Sequence, residues 1–162
     1  MDEIRKMLPN EIPECVNVIR SAFLTVADEL GFTKDNAPRF TAFAIDEDRL
    51  KNQSTEENRP MYVYHDHGKV VGYYSLAFLD NGSVEINNLS VLPEYRHIGI
   101  GESLLEDAEK KTKELGKNKI EIGIVEENQV LKNWYEKHGF VHTGTKKFDF
   151  FPFTCGYMEK YV

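Results

Sequence analysis

Asn88 to Gly101 reads NLSVLPEYRHIGIG, and the chain changes its period within these fourteen residues. Val84 to Val91 has strand composition, and Pro93 ends it. A turn with Arg96, Gly99 and Gly101 follows, and Leu104, Leu105, Ala108 and Leu115 then fall on one helical face that Gly116 closes. Glycine lets a backbone adopt positive φ and approach a ligand closely. The unpaired N–H groups and dipole at a helix start favour a phosphate. The joint therefore predicts a phosphate cradle with Arg96 as a cation beside it. A dinucleotide fingerprint needs a third glycine where Leu104 stands, and a P-loop needs Gly-Lys-Ser/Thr where the chain has Gly101, Glu102 and Ser103. Spacing alone also leaves open a plain strand–turn–helix joint with two turn glycines.

Downstream, Ile120, Ile122 and Ile124 alternate as a strand, and Leu131, Trp134, Tyr135 and His138 recur at helical spacing before Gly139. Phe140 to Val162 reads as two strands joined through Phe151, Pro152 and Phe153. Upstream, Met61–His65 and Lys69–Leu79 form a predicted hairpin about Asp66, His67 and Gly68, and Asn81-Gly82 turns the chain into the strand above. A short strand at Ile4–Leu8 precedes a helix marked by Ile12, Val16, Ile19, Phe23, Val26 and Leu30, with Pro13 in its first turn and Gly31 past its end. A weaker helix carries Phe40, Phe43 and Ile45, and Lys51 to Pro60 reads as a polar loop. The expected order is β-α-α-β-β-β-α-β-α-β-β, an α+β or mixed α/β layer architecture.

The 162 residues, 41% hydrophobic and 29% charged, predict one globular domain over residues 1–162, large enough for a core without staples. A net charge of −7 with no dense basic face argues against nucleic acid as a partner. No apolar run reaches membrane-spanning length and the N-terminus lacks a signal-peptide core, so a cytoplasmic protein without a membrane partner is expected. Cys15 and Cys155 have neither disulfide-scaffold nor metal-ligand spacing. His65-Asp66-His67 falls in a hairpin turn without further ligands, so no metal site is predicted.

Arg96-His97-Ile98-Gly99-Ile100-Gly101 resembles the pyrophosphate motif Arg/Gln-x-x-Gly-x-Gly/Ala of the GNAT superfamily of acetyl-CoA-dependent N-acetyltransferases. Asn128, Tyr135, Gly139 and Phe140 are similar to a second pattern of that family, in the same order and separated by one helix and one strand. The resemblance implies a twisted, splayed mixed sheet flanked by about four helices, opening between Val84–Val91 and Lys119–Ile124. It further implies that acetyl-CoA lies in the gap. Its pantetheine would pair with backbone groups of Leu89 and Val91, its pyrophosphate with amides from His97 to Glu102 (His97, Ile98, Gly99, Ile100, Gly101, Glu102), and Asn128 would bond the pantetheine. Two positions depart from the pattern. Glu102 puts a carboxylate at the phosphate end of the helix, and Leu131 stands where a small residue is usual.

Acetyl transfer to an amine needs a group that accepts the amine's proton and a donor for the departing thiolate. No covalent nucleophile is required, because the thioester is already activated. The resemblance makes Tyr135 the candidate general acid; helical spacing alone reads it as one more core residue. It makes Glu85 the candidate general base, against a solvated strand carboxylate or proton transfer through water. The expected acceptor is a primary amine of a small molecule. A protein or peptide amine, or a non-catalytic acetyl-CoA-binding domain, are the alternatives. Phe148, Phe150, Phe151 and Phe153 read first as core or as a subunit interface, which leaves a homodimer open. Asp46, Glu47 and Asp48 read as a solvated acidic helix face.

Overall fold

Residues 3–162 are described in the computed structural model of the chain. Strand β1 (Ile4–Lys6) leads through a 3-10 turn into α1 (Ile12–Leu30), followed by α2 (Thr41–Ala44) and α3 (Glu47–Thr55). Strands β2 (Met61–Asp66), β3 (Lys69–Phe78) and β4 (Val84–Val91) precede α4 (Ile100–Glu114), β5 (Lys119–Val125), α5 (Gln129–Lys137), β6 (Val141–Lys147) and β7 (Thr154–Tyr161). The seven strands form one mixed sheet in the order β1-β2-β3-β4-β5-β7-β6. Its β4–β5 contact is parallel and its other contacts are antiparallel.

The expected α+β (mixed α/β) architecture is present, with one correction. Lys51–Pro60 is not all loop, because Lys51–Thr55 is the second half of α3. Only Leu50 and Gln53 of that helix are buried, so it has no apolar stripe for periodicity to detect. Its start is nonetheless well specified. Asp46 caps it by accepting from the Arg49 N–H at 2.7 Å, and Glu47 and Asp48 occupy the first turn, where the helix dipole favours negative charge. The acidic cluster is thus the N-terminal signature of a helix.

Neighbouring residues of β3 point to opposite faces. Tyr74 donates to Asp107 of α4 at 2.6 Å and stacks on Tyr62, whereas Tyr73 lies on the other face, where α1 packs. α1 ends at Gly31 with φ 75°, a left-handed stop that glycine reaches without steric cost. Gly72 sets the distance between β3 and α4: a Cβ there would come within 2.9 Å of Leu104 Cδ1. A second, smaller apolar cluster joins the end of α1 and the loop after it to the β6–β7 turn, with Phe32, Phe40 and Phe153 in mutual ring contact.

At the opposite end of the sheet, Glu11 is buried and held by four contacts. Arg5 donates to both oxygens at 2.9 and 2.7 Å, the Leu8 N–H donates at 2.8 Å, and His65 Nε2 lies 3.0 Å away. Burial opposes its ionisation, but these hydrogen bonds outweigh it and bring the carboxyl down from 4.5 to about 2. A depressed carboxylate stabilises the fold above its unfolded value and ceases to do so as pH falls through the folded one. Glu11→Gln is therefore expected to cost roughly 2 kcal/mol at pH 7. In thermal unfolding, that deficit should start to shrink below about pH 4.5 and be gone near pH 2.

Candidate active site

β4 and β5 pair only at Val84↔Ile120 and Glu85↔Glu121, and beyond that point the two strands part. β4 also carries a bulge. Tyr73 pairs with Ser90 and Ser75 with Asn87, so β4 holds one residue more than β3 over this interval. Asn88, at φ 55°, absorbs the kink, and asparagine tolerates this left-handed conformation better than most residues. The stretch Ile86–Val91, which includes Leu89 and Val91, therefore has β3 on one side and no pairing with β5 on the other.

Past β4 the chain makes a 3-10 turn at Pro93–Tyr95 and enters two left-handed residues, His97 (φ 65°) and Gly99 (φ 91°), before α4 begins. Among the described residues, no backbone carbonyl accepts from the amides of His97 to Glu102. His97, Ile98 and Gly99 are exposed, and Ile100 is buried beneath the turn against β3. The result is a row of free N–H donors at the positive end of a fifteen-residue helix, a cradle suited to a pyrophosphate. Gly99 is required by its φ. Gly101 is not, since a Cβ there would meet Trp134 and Val91 at ordinary contact distances. Arg96 does not extend over the turn: its guanidinium donates to the Ala22 carbonyl at 3.2 Å and ties the cradle to α1. Glu102 is exposed and leans to within 3.9 Å of His138 Nε2.

Asn128 caps α5, its Oδ1 accepting from the Leu131 N–H at 3.3 Å. That bond uses the side-chain oxygen and leaves the amide nitrogen available to a ligand. Leu131 is half-buried against the main core. Tyr135 is 6% exposed, edge-on to both Trp134 and Phe140. Burial raises its phenol above the usual tyrosine value, so it stays protonated at neutral pH and can donate.

Glu85 occupies the last register pair before the gap, and burial raises its carboxyl above the ordinary value. Around it lie groups the sequence reading did not single out. Asn87 is two residues along the same face, and its amide nitrogen is buried without a hydrogen-bond partner. Arg59 and Glu121 act on Glu85 through their charges, and Tyr157 of β7 feels the charge of Glu85 in turn. No motif marks these residues. The detectable signal was the Asn87-Asn88 pair inside a strand pattern, a composition that favours a bulge. The two thiols are poor nucleophiles: burial pushes Cys15 up to about 12 and also raises Cys155. His65 turns to Glu11 and Arg5 while His67 turns to Asp66. Among the described residues, no three His, Cys, Asp or Glu side chains converge on a metal-sized site.

A family model described as acetyltransferase (GNAT) family matches residues 27–140. An uncharacterized N-acetyltransferase in the pepI 3' region of Lactobacillus delbrueckii subsp. lactis is 29% identical over 148 residues, covering 85% of this chain and 83% of that protein. A spermidine N(1)-acetyltransferase of Thermoplasma acidophilum is 33% identical over 81 residues, half of each chain. Among solved structures, the PaiA N-acetyltransferase of Thermoplasma acidophilum in complex with coenzyme A superposes with a TM-score of 0.83 over the whole of both chains at 22% identity. The ribosomal-protein-alanine N-acetyltransferase of Brucella melitensis gives 0.74 at 20% identity, over 98% of this chain and 99% of that one. These two share the fold.

The cradle's dependence on a left-handed Gly99 is testable. A side chain at this φ costs about 1–2 kcal/mol. Gly99→Ala should weaken coenzyme A binding by roughly five- to thirtyfold in calorimetry, and Gly101→Ala, at an unstrained position, should weaken it less.

Proposed function

The chain belongs to the acetyltransferase (GNAT) family and is an acyltransferase; we propose that it acetylates a primary amine of a small cationic molecule by direct attack within a ternary complex. Acetyl-CoA supplies an acetyl group already activated as a thioester. In this reading residues 1–162 form one N-acetyltransferase domain, acting in the cytoplasm. The amides of His97 to Glu102 hold the pyrophosphate, and the backbone at Leu89 and Val91 together with Asn128 holds the pantetheine. Arg96 contributes by fixing the turn to α1.

The observation that carries the reading is the parting of β4 from β5 directly after Glu85. A partly buried carboxylate stands at the root of the opening, where an incoming amine must lose a proton. A free alkyl amine titrates near 10.4, so a neutral nucleophile at physiological pH needs such an acceptor. Raised by burial, Glu85 is a stronger base than an exposed glutamate while remaining below the amine. Tyr135, kept protonated, is the donor to the departing thiolate. Direct attack is favoured over an acyl-cysteine route because neither cysteine is activated. Glu85 and Glu121 side by side, with a net charge of −7 over the chain, favour a cationic acceptor. The relative named for spermidine is consistent with this class. A protein or peptide amine is the second reading, suggested by the fold shared with a ribosomal-protein acetyltransferase.

Thiol release from acetyl-CoA should rise above hydrolysis with a pool of small amines and stay at background with peptide pools; the reverse result would assign a protein acceptor. Acetyl-CoA binding with no turnover in any pool would mean that the acceptor was missing from the pools or that the site does not turn over. Tyr135→Phe should lower kcat by about 10²-fold with coenzyme A affinity unchanged. An ionised Glu85 is the active form, so kcat/KM should climb as pH passes its raised value, and Glu85→Gln should abolish that limb.

A further inference from the structure

The face of the sheet on which Glu85 lies contains a row that crosses four segments. Met61 pairs with Ser75, and the Leu76 N–H donates to the Pro60 carbonyl at 3.0 Å, which places Arg59 at the register position opposite Ala77. Ala77 pairs with Glu85, and Glu85 with Glu121. Adjacent strands are about 4.8 Å apart, so Arg59 and Glu85 are separated by about 10 Å of backbone and by a single methyl group. An arginine side chain can cover most of that span. Arg59 is anchored at its base, its N–H donating to the Gln53 carbonyl at 3.0 Å, and its side chain is only 19% exposed. Its charge is felt at both Tyr73 and Glu85, which share this face.

We propose that Arg59 is a positioning residue for the reaction: across Ala77, its guanidinium holds the partly buried Glu85 as a carboxylate, ready to receive the amine's proton. The inference rests on Glu85 being the base. The other groups facing Glu85 act with or against it. Burial and Glu121 of β5 oppose the ionised form and Arg59 favours it, while Asn87, on the same strand, has an unpartnered amide nitrogen. Glu121 is itself partly offset by Lys119 at 3.9 Å, and Tyr157 of β7 is neutral at the pH of interest. A competing carboxylate sits on the far side of the guanidinium: Glu57 accepts from Arg59 at 2.9 Å and from Arg49 at 3.0 Å. Arg59 is thus shared between a surface glutamate and the candidate base, and Glu57 limits how far Glu85 is held down.

The test is a carboxyl-carbon NMR titration of glutamate-labelled protein, with the Glu85 signal assigned by its loss in Glu85→Gln. It runs alongside the pH dependence of kcat/KM. Arg59→Gln is expected to move the Glu85 midpoint to higher pH by about half a unit, and the acidic limb of kcat/KM should move with it. Arg59→Lys should restore both. Glu57→Gln should shift both in the opposite direction, and this variant decides the matter if Arg59→Gln does not fold. A Glu85 midpoint that stays in place overturns the inference. A midpoint that moves while the kinetic limb does not would show that Arg59 acts on Glu85 but that Glu85 is not the base, overturning the catalytic half.

Discussion

Two register pairs, Val84↔Ile120 and Glu85↔Glu121, are all that join β4 to β5, and the rest of the molecule is arranged around that brief contact. A parallel pair buried in a sheet would ordinarily run on, since each unpaired backbone group within the fold costs a hydrogen bond. Here the pairing stops because β4 bends at its bulge while β5 continues straight along β7, with which it pairs from Lys119↔Tyr161 to Val125↔Cys155. β3 and β7 hold the two halves on their outer sides. The opening is therefore a property of the sheet, made by rigid elements, and it presents backbone donors and acceptors that a ligand between the strands can pair with.

The helices complete the opening at each end. α4 is pressed against β3 so closely at Gly72 that its first turn is fixed in position, and the left-handed Gly99 aims its free amides outward. Arg96 adds a tether from the same turn to α1 on the other face of the sheet. α5 begins at Asn128, directly after β5, so the cap of that helix and the open end of the strand are set by the same few residues. Burial acts differently on the two titratable candidates. It keeps the Tyr135 phenol protonated, which suits a donor, and it weakens the acidity of Glu85, which suits an acceptor only if some positive group prevents it from going too far.

Much of this was legible in the sequence because it rests on local rules. Gly99 and Gly101 after a strand, Pro13 and Gly31 around α1, and the alternating isoleucines of β5 each carry a signal within a few residues. α3 was not legible as a helix because only Leu50 and Gln53 are buried, and a helix that rests on the core at two points leaves no periodic stripe. Its cap residues were visible and were read as a solvated acidic helix face, but not as the start of a helix running on to Thr55. The surroundings of Glu85 were hidden for a different reason. Arg59, Ala77, Glu85 and Glu121 are far apart in the chain and meet only through the register of β2, β3, β4 and β5, which no local pattern specifies.

The aromatic tail shows the same limit from the apolar side. Phe148, Phe150, Phe151 and Phe153 look like a contiguous patch in sequence, and their rings do touch in a row in space, but burial divides them. Phe153 is buried against Phe32 and Phe40, whereas Phe150 is exposed and carries the Arg39 guanidinium 4.3 Å above its ring. The ring contacts among Phe32, Phe40 and Phe153 connect the segment after α1, a helix that packs on the central strands β3 and β4, to the turn between β6 and β7. Because β7 pairs with β5 along its whole length, a cluster that anchors the start of β7 to the segment after α1 also braces the far wall of the opening.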